Sequence, residues 1–246
     1  MEIVNCYWEK DNLNKDVVEI TFSLSDNFNV DEIISLESQY DYIVIKVPMN
    51  MVNVNFQLSK IGYILVENQI RLCKKYKDFN FDDNLIKRVY PHFDVEFVKD
   101  KNDLEEIISK ITPNMFSTDR IYLDPYFGPD SSMIRYNNWM RNEFGKEGIF
   151  ISKLLYDGKN IGFGMAKYQP HIFHGIIGGI YEEYQNSIYG IITASRNFLI
   201  AKKKSIQINE VHTAISSNNT PVLRFYNYLN YTIEDMKYVF IKHVSR

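Results

Sequence analysis

The chain has 246 residues, 45% of them hydrophobic and 15% aromatic, with a formal net charge of -3 and a pI near 6.0. That is enough apolar material for one large domain or two small ones with packed cores, and it excludes a largely disordered chain. The charge balance excludes a general attraction to nucleic acid or anionic membrane, and no stretch is long and apolar enough to cross a bilayer. Cys6 and Cys73 have no metal-ligand spacing around them and read as small buried side chains of a reduced, cytoplasmic protein. The start, Met1-Glu2-Ile3-Val4, has no basic region followed by an apolar stretch, so no leader is expected.

In chain order, short β-branched runs alternate with helical periodicity throughout, which predicts a mixed α/β protein rather than a bundle or a sandwich. Residues 17–24, 42–47 and 63–73 carry the strand pattern, and 30–38 and 51–60 the helical one. A charged stretch at 73–83 precedes Val89-Tyr90-Pro91-His92, and the domain boundary is placed here, dividing the chain into 1–92 and 93–246. Beyond it, 103–109 and 132–143 read as helices joined by a long loop, 112–129, rich in Pro, Asp and Tyr and expected to be functional or mobile. Strands follow at 149–156 and 160–168, linked by the hairpin pair Asp157-Gly158, and at 174–181. The order then runs helix 187–203, strand 207–215, helix 220–229 and strand 236–243, with Lys202 to Lys204 as a solvated helix end.

The ends of the two parts echo one another. Setting Gly62-Tyr63 against Asn230-Tyr231 brings Leu58 opposite Tyr226 and Met51 opposite Asn219, each time with a strand following. The first copy keeps the apolar frame and lacks the polar groups, so an internal duplication is expected.

Two segments carry candidate chemistry. In Asn219-Thr220-Pro221-Val222-Leu223-Arg224-Phe225-Tyr226, Asn219 suits a helix cap and Pro221 the first turn, and Val222, Phe225, Tyr226 and Leu229 share one face. With 18 tyrosines in the chain, a Tyr on such a face is by itself a core residue, and Asn219 by itself a cap. Upstream, Ile180 ends a strand and Gln185-Asn186-Ser187-Ile188-Tyr189-Gly190-Ile191 leads into a helix. Successive N–H groups at a helix start make an anion site, and a small residue lets a phosphate approach the backbone. Strand, turn and helix with one Gly is a common pattern, so the loop gains weight from its order and separation relative to the Asn/Tyr helix.

Together these segments resemble the GNAT superfamily of N-acetyltransferases. The loop is similar to that family's pyrophosphate loop, with Gln185 and Gly190 in place and Ile188 where the family has Gly. The resemblance implies the GNAT acyltransferase fold, an α/β (α+β) arrangement of a mixed central sheet flanked by helices. A partial GNAT-like domain without catalytic residues would occupy 1–92, and the catalytic GNAT domain 93–246. It implies acetyl-CoA as co-substrate, held by Ile180, Gln185, Asn186, Ser187, Ile188, Tyr189, Gly190, Ile191 and Asn219, and Tyr226 as proton donor to the departing thiolate.

A third stretch narrows the resemblance. Asp119-Arg120-Ile121-Tyr122-Leu123-Asp124-Pro125, with Tyr136-Asn137-Asn138-Trp139 and Asn142, looks like the region before the first hairpin of the dTDP-fucosamine N-acetyltransferase group, enzymes of cell-surface polysaccharide synthesis. This implies a nucleotide-linked amino sugar bound by Arg120, Tyr122, Asp124 and Trp139, the guanidinium of Arg120 suiting a phosphate. From the residues alone, Arg120 and Asp124 equally well brace the loop, and Trp139 equally well fills a helix core.

The expected reaction is direct attack of an amine on the acetyl thioester within a ternary complex. A tyrosine of pKa about 10 can protonate a thiolate of pKa about 8.5. The oxyanion donor is expected to be a backbone N–H near Ile180, and the base is open among Glu182, Glu183, His174 and water. Two other readings stay open: a GNAT acting on another small amine or a peptide N-terminus, and a non-catalytic GNAT-like acyl-CoA-binding module. His171 and His174 have metal-like spacing without further ligands in view, so no metal is expected. The expected partner is a small molecule; oligomeric state is open, a homodimer included.

Overall fold

The computed structural model describes residues 1–185 and 187–244. Among these, the strands are β1 (Glu2–Asn5), β2 (Val17–Thr21), β3 (Tyr42–Pro48), β4 (Ile64–Lys75), β5 (Phe93–Phe97), β6 (Ile149–Tyr156), β7 (Lys159–Gln169), β8 (Ile172–Ile180), β9 (Glu210–Ser216) and β10 (Thr232–His243). The helices are α1 (Glu9–Leu13), α2 (Val30–Glu37), α3 (Val52–Lys60), α4 (Asn84–Val89), α5 (Lys101–Ile108), α6 (Arg120–Leu123), α7 (Pro129–Glu143), α8 (Gly190–Lys203) and α9 (Thr220–Tyr228). The strands form one mixed sheet in the order β1-β2-β3-β10-β4-β9-β8-β7-β6-β5. β2–β3 and β8–β9 are parallel, and the other neighbouring pairs are antiparallel.

Burial explains the local sequence. β3 reads YIVIKVP, an almost unbroken apolar run, because both faces of the sheet are covered there. β2 alternates: Val18 and Ile20 enter the core beneath α2 and α3 with Ile33, Val54 and Leu58, while Val17 joins Tyr42 and Val44 on the opposite face. α8 is buried at every position from Ile191 to Ala201, so it has no solvent stripe to betray its orientation. It packs with α9 over one face of β4, β8 and β9, while α5 and α7 cover the opposite face of β6, β7 and β8 through Leu104, Ile107 and Met140.

Strands from both sides of the expected 92/93 boundary interleave at the sheet centre, β10 lying between β3 and β4, and β4 between β10 and β9. The echo also has a backbone counterpart. α3 and α9 each span 9 residues, and β4 and β10 each span 12. Met51 and Asn219 occupy the two N-caps. Gly62 and Asn230 take positive φ, 88° and 53°, at the two helix exits. The next residues then make the same bond, Tyr63 N–H to Leu58 O and Tyr231 N–H to Tyr226 O, each at 3.0 Å.

Some elements differ from the sequence expectation. β1, α1, α4, α6 and β5 are four to six residues long, too short for periodicity to declare them. The loop at 112–129 is not structureless, since a 3-10 turn (Pro113–Phe116) and α6 lie within it. β10 starts at Thr232 instead of 236, because a bulge at Glu234 interrupts its alternation. No helix of the described residues is long and apolar enough to cross a membrane.

Candidate active site

β8 and β9 pair in parallel only from Ile172↔Glu210 to Gly175↔Thr213. At that point the β7–β8 register shifts, Ala166 facing Gly175 and Met165 facing Ile177, which makes Ile176 the extra residue of a bulge. A bulge bends its strand, and here it turns β8 away from β9. The facing edges beyond it, up to Ile180 and Ser216, are unpaired with one another. A cavity of about 180 Å³ occupies this fork, lined by Ile176 to Gly178 from β8, Thr213 to Ser216 from β9, Thr193 and Arg196 from α8, and Asn219, Val222 and Tyr226 from α9. Met115, Phe116, Thr118, Asp119 and Tyr136 close the remaining side.

Tyr226 is 6% exposed, and its hydroxyl makes no hydrogen bond among the described residues. Its ring meets Tyr231 edge-on at 4.8 Å, and the Tyr231 hydroxyl donates to Ala194 O at 2.7 Å, so the neighbour is tied into α8 and Tyr226 is held but left unbonded. Burial, with Tyr226 beside it, raises the Tyr231 pKa well above the usual phenol value. Asn219 caps α9 by accepting from Val222 N–H at 3.3 Å, which leaves its amide donors free at the cavity wall.

Arg196 was not singled out from the sequence. It is 6% exposed, donates to Ile177 O at 3.1 Å and to Thr193 O, and has no ion-pair partner among the described residues. Its buried Nε finds no acceptor. The guanidinium can lie this close to β8 because Gly178 has no side chain, and a Cβ there would stand 2.9 Å from Arg196 Cζ. An unpaired buried cation costs heavily unless something supplies negative charge. The periodicity of α8 hid it, since Arg196 falls inside a continuously buried segment. Asp119 is the carboxylate of the cavity wall; it accepts from Tyr136 OH at 3.0 Å, Ser132 Oγ at 2.9 Å and Ile121 N–H at 3.1 Å.

The loop before α8 stands beside this fork. Gln185 donates through Nε2 to Ile180 O at 3.3 Å, so the side chain closes the turn at the end of β8. Ser187 Oγ accepts from Tyr189 N–H, and Ser187 O from Gly190 N–H, both at 3.3 Å. Ile191 N–H reaches Ile188 O, and Ile188 packs against the core beneath α8. Asn186 lies outside the described residues. Gly190 has a structural reason of its own: a Cβ would stand 2.7 Å from Phe225 Cε2, so its absence lets α8 start against α9.

Arg120, Tyr122, Asp124 and Trp139 do not line the fork. Arg120 faces Glu67 of β4 at 3.7 Å. Burial alone would lower its pKa, but Tyr42, Glu67, Asp119 and Glu19 around it outweigh that and hold the guanidinium firmly charged. Asp124 is 5% exposed and bonds His243 Nε2 at 2.8 Å, while Tyr122 OH donates to Asn114 at 3.4 Å. Trp139 lines a separate groove of about 660 Å³ with Trp8, Asn12 and Asn142. Its ring lies 6.3 Å from that of Tyr136, which stacks on Phe116 at 4.1 Å, so a row of aromatics runs along α7 from fork to groove. Of the candidate bases, Glu182 accepts from Thr112 and Asn114, and His174 bonds Gln169 at 3.0 Å.

No family model matches the sequence, and no curated protein matches it. Solved structures do. A GCN5-related N-acetyltransferase from Sphaerobacter thermophilus superposes with a TM-score of 0.57 at 9% identity over 83% of this chain, and the match spans 60% of that protein. A GCN5-related N-acetyltransferase from Kribbella flavida gives 0.54 at 10% identity, covering 92% of this chain and 80% of its own. A tandem GNAT protein from the clavulanic acid biosynthesis pathway gives 0.51 at 11% identity, covering 87% and 67%. The chain therefore has the fold of the GCN5-related N-acetyltransferases.

Proposed function

We propose that the chain is an acetyl-CoA-dependent N-acetyltransferase that acts on the amine of a nucleotide-linked amino sugar. One observation carries this reading: the cavity in the fork between β8 and β9 is lined by Tyr226, whose hydroxyl has no hydrogen-bond partner among the described residues. The shared fold, and the tandem arrangement named for one similar structure, support it further.

The residues present suit the co-substrate. The unpaired edges of β8 and β9 offer backbone donors and acceptors at the spacing of an extended chain, which an amide-bearing pantetheine arm can use. Acetyl-CoA would supply an activated acyl carbon. Around it Tyr226 holds a proton for the leaving sulfur, Asn219 offers its amide donors, and Arg196 sets a positive potential over the wall where a carbonyl oxygen gains negative charge. The Asp119 carboxylate, with its oxygens occupied by Tyr136, Ser132 and Ile121, fixes the far wall, leaving water to take the amine proton.

The row Phe116, Tyr136 and Trp139 supports a ring-bearing acceptor, since sugar and base faces stack on aromatics. Arg120, already faced by Glu67, would serve such an acceptor by holding the loop in shape. The test is to incubate the full chain with acetyl-CoA and a panel of TDP-linked 4-amino-4,6-dideoxy sugars, polyamines, amino acids and peptides, following thiol release and acetylated product by mass spectrometry. Product with an amino sugar alone is the expected result. Product with another amine would move the reading to a different acceptor, and coenzyme A binding without turnover would make the chain a binding module.

A further inference from the structure

On the sheet face opposite α8 and α9, three neighbouring strands bring a thiol, an imidazole and two carboxylates together. Cys73 on β4 and His212 on β9 are cross-strand partners, with Sγ 3.6 Å from His212 Nε2. Glu210, two residues before His212, places Oε2 3.0 Å from the same nitrogen and 3.9 Å from the sulfur. Val211 and Ile215 are buried beneath α8 and α9, so strand alternation turns Glu210 and His212 to the other side. Glu234 joins them from β10 because it is the bulged residue, unpaired between Ile233↔Leu72 and Asp235↔Arg71. Its Oε2 lies 3.0 Å from His212 Nδ1.

We propose that Cys73 Sγ, His212 Nε2 and Glu210 Oε2 bind one divalent transition-metal ion of the zinc class, with Glu234 orienting the imidazole from behind. The three ligand atoms are separated by 3.0, 3.6 and 3.9 Å. A tetrahedron built on bonds of about 2.0 Å to nitrogen and oxygen and about 2.3 Å to sulfur has edges of roughly 3.3–3.6 Å, so shifts of a few tenths of an ångström, widening the nitrogen–oxygen edge and shortening the sulfur–oxygen one, complete three corners. A thiolate and a carboxylate neutralise a dication, and the mixed sulfur, nitrogen and oxygen set suits zinc rather than the all-oxygen shells of magnesium or calcium. A carboxylate on the far imidazole nitrogen is the usual outer partner of a metal-bound histidine. An ion pair between a protonated imidazole and two carboxylates would leave the thiol without a role. Binding displaces the Cys73 proton to solvent, and the half-exposed face leaves the fourth corner to water. Such an ion would join β4 to β9 and, through Glu234, to β10.

The experiment is a cobalt(II) and zinc(II) titration of the chelator-treated full chain. The expected result is one ion per chain, with a sulfur-to-cobalt charge-transfer band that Cys73→Ser abolishes. Glu234→Gln should weaken binding about 10- to 100-fold, and His212→Ala more than that. Zinc should also raise the Tm of the wild type and slow alkylation of Cys73, a readout that needs no variant because Cys6 is buried. No ion bound, a cobalt spectrum indifferent to Cys73→Ser, or alkylation unchanged by zinc would each overturn the proposal. None of these outcomes depends on acetyl transfer.

Discussion

The two ends of the central sheet are built alike and finished differently. In the N-terminal half β2 and β3 stay paired from Val17↔Tyr42 to Thr21↔Lys46, and Phe22 N–H extends the ladder to Lys46 O at 2.9 Å. In the C-terminal half the corresponding parallel pair, β8 and β9, parts after Gly175↔Thr213 at the Ile176 bulge. The helix that follows each pair puts a different residue at one position, Leu58 fully buried in the first and Tyr226 beside the fork in the second. One backbone unit thus serves as packing where the strands stay closed and as a candidate reaction site where they open. A bulge at Ile176 and two polar replacements, Tyr226 for Leu58 and Asn219 for Met51, separate the two uses.

Tyr226→Phe tests the open unit most severely. It keeps the ring and its contact with Tyr231 and deletes only the hydroxyl, so kcat should fall by about 10²- to 10⁴-fold, the range for losing a general acid. Tm and acetyl-CoA affinity should hardly change, because the apolar surface is retained. A kcat within a few-fold of wild type would make Tyr226 a core residue and erase the contrast with Leu58. Leu58→Ala should give the reverse signature. It removes a fully buried side chain, so chemical denaturation should show a loss of about 2–5 kcal/mol, while kcat per folded molecule stays the same. A kcat loss out of proportion to unfolding would show that the N-terminal unit takes part in the chemistry.

Gly190 sharpens the comparison at the fork itself. Gly190→Leu should destabilise by roughly 1–3 kcal/mol through overpacking against Phe225, and it should weaken acetyl-CoA binding because α9 carries Asn219 and Tyr226. Adding Phe225→Ala should recover part of both losses, with a coupling of about 0.5–3 kcal/mol in the double-mutant cycle. If Phe225→Ala rescues stability and leaves binding weak, Gly190 itself approaches the ligand.

Much of this was legible in the sequence where a local rule governs the outcome. Asp157 and Gly158 both take positive φ, 47° and 75°, as their hairpin composition demands, and Asn219 caps α9 as its side chain predicts. The echo of Gly62-Tyr63 in Asn230-Tyr231 was readable because the helix exit needs a left-handed residue both times. What depends on distant partners was not. The swap of β4 and β10 leaves no mark on either strand's pattern, since the order of strands in the sheet is decided by partners far away in sequence. Arg196 looked like one more residue of an apolar helix, and the glycines opposite, Gly164 and Gly178, show why a guanidinium fits there. Arg120 and Asp124 read as ligand residues by their resemblance, and their facing groups, Glu67 and His243, lie far away in sequence.

The closed end of the sheet carries its own, smaller test. Lys46 of β3 reaches Glu19 of β2 at 2.6 Å, an ion pair across the parallel strands whose C-terminal counterparts separate. Burial works to raise the Glu19 pKa, but Lys46, with Arg120 and Arg135 nearby, outweighs it and the net shift is downward. A carboxyl whose folded pKa is depressed binds its proton more readily in the unfolded chain. Its contribution is therefore present above the unfolded value of about 4.3 and is lost as pH falls through the folded one. Lys46→Met keeps most of the apolar stem and removes the charge, so it should cost on the order of 1 kcal/mol at neutral pH, small because both side chains keep some solvent contact. Urea melts of wild type and variant should converge as pH falls below the unfolded value and through the depressed folded one. A difference that stays constant through that range would assign the loss to packing of the Lys46 stem and leave strand pairing alone to keep β2 and β3 closed.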